Sequence, residues 1–313
     1  MTDHLTKNGG DVWYRNPTPN TLGESPIYRE SDSTLHWIDI LAKPCTVHIL
    51  KIDPTTGDAI GSARVLEVPL DSIHALYFRR DVKGSYIVAY RQGIAFLDEQ
   101  TGAIEVVKKL IGDEEQGMNS NDAGVDPQGR FWLGDVDASA FMKGTEPRGK
   151  LWRYDPDGSC TVMDTGVICG NGIGWSPDSK YMYFNDTGPK VVWRYDFDGK
   201  TGDISNKTKL IEGTDFPQGG GNDGMVIDET GNLWIAMWGM NEVRVYSPEG
   251  KLLQSIQFPA KCMTCTTWGG KDNDILFVTS AIPFTGPEAG DEGGHVFRYK
   301  PGVKGLPKYS FAG

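Results

Sequence analysis

The stretch QGGGNDGMVIDETGNLWIAMWG, residues 218–239, contains the local pattern that decides the fold. Glycines precede an amide and a carboxylate, Asn222 and Asp223, and the apolar run MVI follows them. The turn DETG separates this run from a second apolar run, LWIAMW. Two short apolar runs joined by a glycine-containing turn predict a β-hairpin. The stretch therefore raises the question of why polar side chains stand where a buried strand begins.

The same strand and turn pattern returns six times along the chain. One strand of each repeat carries a large apolar anchor, and the anchors are Trp37, Ile87, Trp132, Tyr183, Trp234 and Phe277. Successive anchors are 50, 45, 51, 51 and 43 residues apart, a period that fits one four-stranded propeller blade with its loops. The sequence therefore predicts an all-β, six-bladed β-propeller. It is expected to form a single domain over residues 1–313, with residues 1–11 as a flexible N-terminal tail.

The bulk composition is that of a folded protein rich in turns. The chain has 313 residues, 38% of them hydrophobic, with 40 Gly and 18 Pro. Such a Gly and Pro content favours many short strands over long helices. The net charge is −11, and the chain has no Lys/Arg run. A basic face is the mark of nucleic-acid binding, so no nucleic-acid partner is expected.

The cysteines and the N-terminus predict a cytoplasmic protein with reduced thiols. There are five scattered cysteines, and the first residues include no apolar leader segment. No stretch approaches the roughly 18 apolar residues of a membrane span, so no membrane association is expected. Cys262 and Cys265 form a CxxC without a second CxxC or a His pair, which only weakly indicates zinc or redox chemistry. A closed propeller is expected to be a monomer.

Polar residues open the inner strand of several predicted blades. Glu24, Asn121, Asn171 and Asp223 each stand near the beginning of such a strand. Because the inner strands of a propeller surround its central channel, we expect these side chains to converge there. Carboxylate and amide oxygens are hard ligands that suit Ca²⁺, Mg²⁺ or Mn²⁺. The pattern predicts a metal site in the central channel, and turn formation is the alternative for any single Asn-Asp or Asn-Gly pair.

Four ordered motifs give the chain a resemblance to the SMP-30/gluconolactonase/regucalcin-like family of six-bladed propellers. They are LGESPIYRESDSTLHWIDI, NDAGVDPQGRFWLGDVD, GNGIGWSPDSKYMYFNDT and NDGMVIDETGNLWIA, and the resemblance covers roughly residues 12–300. It implies one divalent metal ion held by Glu24, Asn171 and Asp223, with Asp223 also accepting a proton. It further implies that Asn121 contacts substrate and that a sugar-acid lactone is hydrolysed to the aldonic acid. The metal varies within the family, so Ca²⁺, Mn²⁺, Mg²⁺, Zn²⁺ and Fe²⁺ remain open.

Asn119 is a departure from the family pattern. Many members carry an arginine two residues before the Asn of the ND motif, whereas MNSND has Asn119 at this position. Loss of this cation weakens the case for a negatively charged substrate and leaves the lactone and its ring size open. Asn119 and Asn121 are predicted to hydrogen-bond substrate oxygens. An acidic residue often found in the third blade has no obvious equivalent, although Asp135 and Asp137 lie nearby.

Other candidates have a structural alternative beside the functional one. His74, near the start of the second inner strand, is predicted to bind substrate as a channel-lining donor, or else to be structural. Trp238 is predicted to form an apolar wall for a sugar ring, or else to pack in the core. Asp122 could support the metal site or cap a turn, and Asn185 and Asp186 could reach the channel mouth.

Three functional hypotheses follow from these residues. The leading one is a metal-dependent lactonase whose small-molecule partner is a sugar lactone, with the metal polarising the carbonyl and Asp223 assisting the attack of water. The second is a phosphotriesterase or arylesterase with the same metal on the same scaffold. The third is a non-enzymatic calcium-binding or protein-interaction propeller, because fold alone does not fix function. Parallel assays on lactones, phosphotriesters and aryl esters separate the three.

Overall fold

The computed structural model describes residues 4–313. Its strands form six sheets, each built from consecutive antiparallel strands. The innermost strand of each sheet contacts the innermost strand of the next, and the sixth contacts the first. The sheets are therefore the blades of a closed propeller. The predicted all-β class and six-bladed arrangement are confirmed.

The first twelve strands belong to the N-terminal half of the chain. They are β1 (Leu5–Asn8), β2 (Val12–Tyr14), β3 (Gly23–Arg29), β4 (Thr34–Asp39), β5 (Cys45–Ile52), β6 (Ala59–Val68), β7 (Ile73–Phe78), β8 (Ser85–Tyr90), β9 (Gly93–Asp98), β10 (Ile104–Lys109), β11 (Met118–Val125) and β12 (Phe131–Asp137).

The remaining elements complete the propeller. They are α1 (Ala138–Lys143), β13 (Gly149–Tyr154), β14 (Cys160–Val167), β15 (Gly170–Trp175), β16 (Tyr181–Asp186), β17 (Val191–Phe197), β18 (Ile204–Glu212), β19 (Gly221–Ile227), β20 (Leu233–Trp238), β21 (Glu242–Tyr246), β22 (Leu252–Gln257), β23 (Cys262–Gly269), β24 (Ile275–Ala281) and β25 (Val296–Tyr299). One 3₁₀ turn, Glu30–Asp32, follows β3.

Each blade begins at the channel and runs outward. Blade 1 is β3 to β6, blade 2 is β7 to β10, blade 3 is β11 to β14 and blade 4 is β15 to β18. Blade 5 is β19 to β22, and blade 6 is β23 to β25 followed by β2. The segments expected to be inner strands therefore do line the channel.

The N-terminal residues close the propeller. Strand β2 is the outermost strand of blade 6 and pairs with β25, so the beginning of the chain completes the last blade. Strand β1 pairs in parallel with β22 as a fifth strand of blade 5. The expected flexible tail over residues 1–11 is therefore wrong for 5–8, because their backbone groups join an open sheet edge. Residues 1–3 lie outside the described part of the chain.

The large anchors pack between the blades. All six are buried, and Trp37, Trp132 and Trp234 are among the largest fully buried side chains. Neighbouring blades share these contacts: Trp132 of blade 3, for example, packs edge-on against Trp175 of blade 4 at 6.1 Å between ring centroids. Burial of aromatic surface between blades is a main source of stability in such a fold. The period seen in the sequence thus reflects one buried anchor for each blade.

A β-bulge interrupts every inner strand near its start. In blades 1, 3, 4, 5 and 6, two residues of the inner strand face a single residue of the next strand. In blade 2, His74 is the single extra residue. A bulge re-aims the side chains of its unpaired residues. The repeated bulge therefore turns one ring of side chains toward the channel.

The C-terminal residues cross the channel at its other end. The amide of Leu306 donates to the carbonyl of Ile227 at the end of β19, and the amide of Phe311 donates to the carbonyl of Phe78 at the end of β7. This segment has almost no regular secondary structure, as its turn-rich sequence indicates. Among residues 4–313, no helix has the length and apolar character that a membrane crossing requires.

Candidate active site

One cavity opens at the end of the channel where the inner strands begin. It has a volume of about 760 Å³, within the range of roughly 300–1,000 Å³ that is common for ligand sites. Every residue that the sequence predicted for metal, substrate or catalysis lines it: Glu24, His74, Asn119, Asn121, Asn171, Asp223 and Trp238. The structure thus brings these residues together, and their chemical roles stay predictions.

Glu24, Asn171 and Asp223 occupy the deep part of this cavity, because each is only 6 or 7% exposed. Asn171 and Asp223 are bulge residues of β15 and β19. Glu24 immediately precedes the bulge of β3, where Ser25 adopts a φ of 47°. Ser25 is held there because its hydroxyl accepts the amide of Leu76 at 2.8 Å, and left-handed backbone at a non-glycine residue is uncommon. Blade 2 therefore fixes the bend that orients Glu24.

Three carboxylates lie close together in this buried place. Burial, and next to it the charge of Asp122, raises the pKa of Glu24 to about 8. Burial also raises the pKa of Asp122 to about 6, and burial together with Glu24 and Asp122 raises the pKa of Asp223 well above its usual range. Asp122 is thus part of the acidic cluster. Its Oδ1 also accepts the amide of Ala123 at 2.7 Å, so both of its expected roles are combined.

A hydrogen-bond chain joins blades 3, 4 and 5 beneath the cavity. Asn121 Nδ2 donates to Asn171 Oδ1 at 3.0 Å and to the carbonyl of Gly170 at 2.8 Å. Asn171 Nδ2 donates to the hydroxyl of Thr187 at 2.6 Å, and this hydroxyl donates to the carbonyl of Asn222 at 2.6 Å. The chain orients Asn171 with its oxygen toward Asn121 and its nitrogen toward Thr187.

Asn185 and Asp186 do not line the cavity but support it. The side-chain amide of Asn185 donates to the carbonyl of Asp223 at 2.5 Å. The carboxylate of Asp186 accepts the amides of Ile168 and Cys169, with the latter at 2.9 Å. Both residues are buried. They therefore hold the backbone that carries the site rather than reaching the channel mouth.

The predicted substrate-binding residues lie on different sides of the cavity. His74 Nε2 is 2.7 Å from the hydroxyl of Ser72, and burial lowers the pKa of His74 to about 4, which keeps the ring neutral at pH 7. Asn119 precedes the bulge of β11 on the same strand as Asn121. Trp238, the last residue of β20, has its ring centroid 5.0 Å from that of Phe284.

Several lining residues were not identified from the sequence. Thr187 and Lys190 follow β16, Phe141 lies on α1, and Phe284 lies in the loop after β24. Lys190 Nζ donates to the carbonyls of Phe216 and Pro217 in the glycine-rich loop at the mouth, at 3.3 and 3.0 Å. The loop's Gly219 and Gly220 line the cavity, in keeping with a lip over the channel. The sequence FNDT, residues 184–187, did contain a signal for Thr187. It places an Asn-Asp pair at the end of the second strand of blade 4, as other blades do at the start of their inner strands.

Asp135 and Asp137 are structural. Asp135 accepts the indole N–H of Trp152 at 3.0 Å, and burial raises its pKa to about 7. Asp137 caps α1 and pairs with Arg148 at 2.9 Å, and this guanidinium lowers its pKa to about 2. None of the five cysteines is in a disulfide within the described part of the chain.

The donor set at the bottom of the cavity fits a divalent cation. Glu24 Oε2 accepts one backbone amide, that of Ser25 at 2.8 Å, so the carboxylate retains further lone pairs. Buried carboxylates that repel one another are strongly stabilised by a divalent ion with oxygen coordination. Within residues 4–313, no group of three or more His, Cys, Asp or Glu side chains is arranged to hold a metal by itself. The expected set adds the amide oxygen of Asn171 to the carboxylates of Glu24 and Asp223 as a further hard donor.

The chain resembles known proteins over most of its length. The family model described as "SMP-30/Gluconolactonase/LRE-like region" matches residues 22–282. The chain belongs to this family. Regucalcin from Danio rerio is 32% identical over 306 residues, covering 94% of this chain and 96% of the relative. A 6-deoxy-6-sulfogluconolactonase from Pseudomonas putida is 32% identical over 301 residues, with the same two coverages of 94% and 96%.

A solved structure of the family shares the whole architecture. Regucalcin from Agrobacterium tumefaciens, described as a calcium-binding protein, superimposes with a TM-score of 0.83 at 26% identity. The match covers 98% of each chain. SMP-30/gluconolactonase family members therefore include proteins named for lactone hydrolysis and proteins named for calcium binding.

Proposed function

We propose that this protein is a metal-dependent lactonase that hydrolyses a sugar-acid lactone to the free acid. The observation that carries the proposal is the meeting of Glu24, Asn121, Asn171 and Asp223 in one buried cavity, each contributed by the start of a different inner strand. Relatives named as sugar lactonases support the same reaction class.

Glu24, Asn171 and Asp223 would hold the metal. They come from blades 1, 4 and 5, so the ion would be bound only by the closed propeller. When bound, a divalent cation in such a site supplies Lewis-acid polarisation of the carbonyl oxygen and stabilises negative charge that develops there. Three protein ligands also leave coordination positions for substrate and water.

Asp223 is the residue proposed to move protons. Its carboxylate accepts a proton from the water that attacks the carbonyl carbon, and the C–O bond of the ring then breaks. The same proton can pass to the departing ring oxygen, so that the products are a carboxylic acid and an alcohol. Asn185, which holds the carbonyl of Asp223, keeps this residue in position. Asn119 would donate a hydrogen bond to a lactone oxygen, and Asn121 would accept one from a lactone hydroxyl through Oδ1, because its N–H groups already donate to Gly170 and Asn171. Trp238 supplies an apolar wall.

The first experiment is acid release from a panel of aldonolactones, followed with a pH indicator. The protein is stripped with a chelator and reconstituted separately with Ca²⁺, Mg²⁺, Mn²⁺, Zn²⁺ and Fe²⁺. We expect hydrolysis above the spontaneous rate with at least one ion and little without any. A phosphotriester and phenyl acetate belong in the same panel, because faster turnover of either would transfer the proposal to that ester class. Tight metal binding without turnover on any substrate would support a calcium-binding protein instead.

Asp223→Asn tests the catalytic role. The amide is isosteric but accepts no proton and provides a weaker ligand. We expect kcat/KM to fall by at least about 10²-fold, since positioned general bases contribute roughly 10²–10⁴. Asp113→Asn, at an exposed carboxylate outside the cavity, is the matched control and should retain activity. Near-normal turnover by Asp223→Asn in a correctly folded protein would overturn the assignment.

A further inference from the structure

The mouth of the cavity is aromatic and open to solvent. Phe141 is 49% exposed and Phe284 is 69% exposed. Within residues 4–313 these are the only aromatic side chains in the exposed class, and both line this one cavity. Single exposed apolar residues are normal on a protein surface. Two exposed phenyl rings at the mouth of the same cavity instead suggest contact with a ligand.

The apolar surface continues inward from the mouth. Phe284 contacts Trp238, whose ring forms the next part of the wall. Aliphatic side chains from blades 1, 3 and 4 line the same cavity, namely Leu22, Ile40, Val136 and Ile168. The carboxylates of Glu24, Asp122 and Asp223 and the amide of Asn171 lie deeper and are buried. The cavity therefore has a polar bottom and an apolar upper part.

Beyond the carboxylates, Asn119 and the side-chain oxygen of Asn121, few polar groups of the wall are left to bind hydroxyl groups. The two side-chain N–H groups of Asn121 and the hydroxyl of Thr187 already donate to protein acceptors. Lys190 donates to two backbone carbonyls of the loop, and His74 interacts with Ser72. A fully hydroxylated lactone would lose water at each hydroxyl and regain few hydrogen bonds in the upper cavity. Such unpaired polar groups lower affinity and specificity strongly.

We infer that the preferred substrate is a sugar-acid lactone that carries an apolar substituent, such as an alkyl or aryl group, rather than an unsubstituted aldonolactone. This inference rests on the proposed function for the position of the carbonyl at the polar bottom. The ring then directs its substituent past Trp238 toward Phe141 and Phe284. These two phenylalanines are specificity-determining residues, because they contact the substituent and not the reacting atoms.

A binding series tests the inference without relying on turnover. The probes are five-membered lactams that carry no substituent, methyl, propyl or pentyl, and binding to the metal-reconstituted protein is measured by calorimetry. Affinity should rise by about two- to fourfold for each added methylene, with an increasingly negative heat-capacity change. The corresponding lactones should show the same trend in kcat/KM. Affinity that stays constant or falls as the alkyl chain lengthens would overturn the inference.

Phe284→Ser and Phe141→Ser locate the effect. Each should flatten the dependence on alkyl length while leaving the affinity of the unsubstituted lactam within about twofold. Met142→Ser is the matched control, since Met142 is 75% exposed beside Phe141 but does not line the cavity. It should keep the wild-type series.

Two outcomes separate this inference from its alternatives. Absence of lactone turnover with a normal alkyl series would sink the proposed hydrolysis but leave the binding specificity in place. The other outcome is a wild-type dimer whose affinity for the lactams does not change with alkyl length and which Phe284→Ser converts to a monomer. In that case the phenylalanines bind a second copy of the chain, and the inference fails.

Discussion

At the scale of single residues, the neighbours Asn222 and Asp223 have different roles: one holds the strand and the other lines the cavity. The bulge of β19 turns Asp223 into the channel, while Asn222 stays paired with Met237 and its carbonyl accepts the hydroxyl of Thr187. A turn-forming pair is thus used inside a strand. Its amide residue anchors the backbone and its carboxylate faces the cavity.

Thr187 is expected to act as a positioning residue for Asn171. Thr187→Val retains the shape but removes a hydroxyl that joins Asn171 to the carbonyl of Asn222. Without this partner the amide can rotate, so Ca²⁺ and Mn²⁺ affinity should fall by about 10- to 100-fold, as is typical when an outer-shell partner of a metal ligand is lost. Calorimetric titration of the stripped protein measures this change.

The control for Thr187→Val is Thr208→Val. Thr208 is exposed on β18, and its hydroxyl donates to a backbone carbonyl at 3.3 Å. Metal affinity of this variant should equal that of the wild type. Equal affinity in Thr187→Val would show that Asn171 needs no such support.

The sequence predicted the residues on inner strands well and those on other elements poorly. Glu24, Asn121, Asn171 and Asp223 recur at one position of a repeated unit, so their convergence follows from the fold. Thr187, Lys190 and Phe284 follow second strands of their blades, and their place depends on how the loops pack at the mouth. Nothing in local periodicity encodes that packing, and the aromatic mouth was therefore not predicted.

At the scale of elements, the decisive feature is the pairing of β2 with β25. This pairing joins residues near both ends of the chain in blade 6. Trp13 of β2 packs on Phe277 at 4.8 Å, and Tyr14 packs on Trp37 at 5.7 Å between ring centroids. By pairing with β25, strand β2 covers an edge that would otherwise be open and ties the beginning of the chain to its last blade.

Tyr14→Ala tests this closure. Tyr14 is buried, and its hydroxyl accepts the amide of Ala63 in blade 1 at 2.8 Å. Loss of the ring should lower the free energy of unfolding by about 3–5 kcal/mol, the usual cost of deleting a buried aromatic side chain. Urea denaturation measures it.

Deletion of residues 1–8 is the comparison for Tyr14→Ala. It removes β1, whose four residues are all exposed, and should cost about 1 kcal/mol or less. A larger loss from this deletion than from Tyr14→Ala would mean that the fifth strand of blade 5, and not the closure of blade 6, controls stability.

The repeated strands of the blades were easier to predict from the sequence than the elements that do not repeat. Blade strands repeat, and their turns are marked by Gly and Pro. By contrast α1 has only six residues, too few for a helical period, and depends on the Asp137 cap and the αL residue Gly144. The short strands β1 and β2 gain their partners from the far end of the chain, which no local pattern indicates.

At the scale of the whole molecule, a negatively charged chain also concentrates negative charge at its centre. Lys308 is the cation that opposes this cluster from the other end of the channel, where its ammonium group donates to the carbonyl of Pro26 at 3.0 Å. One lysine cannot balance three carboxylates. Stability should therefore depend on protons or on a metal ion.

The pH dependence of the metal-free protein tests this conclusion. The pKa of Glu24 rises from 4.5 to about 8 on folding, so the folded state holds a proton that the unfolded chain releases. The contribution of this proton to the free energy of unfolding is full below pH 4.5. It decreases as the pH rises and is lost once the pH passes about 8. Buried neutral histidines act in the opposite sense, but only below their unfolded pKa of 6.5. The free energy of unfolding should therefore fall between pH 6.5 and 8, by up to about 1.4 kcal/mol per pH unit for each such carboxyl group.

Urea denaturation in chelator and in excess Ca²⁺ measures this slope. Bound Ca²⁺ favours the ionised carboxylates and stabilises the folded state, so the fall should largely disappear. Glu24→Gln removes one titrating group and should flatten the slope in chelator. An identical pH slope with and without metal would show that the acidic cluster does not bind the ion.

The C-terminal segment that crosses the channel determines the route by which substrate could enter and product could leave the cavity. Residues 305–312 cross the far end of the channel and are hydrogen-bonded to the blades there. Reactant and product would therefore use the same opening, the mouth of the cavity. The proposed hydrolysis would turn a neutral ring into an open-chain anion, which would then lie beside carboxylates of like charge. Electrostatic repulsion would drive the acid outward through the entrance by which the lactone came, so the reaction itself would clear the passage for the next molecule.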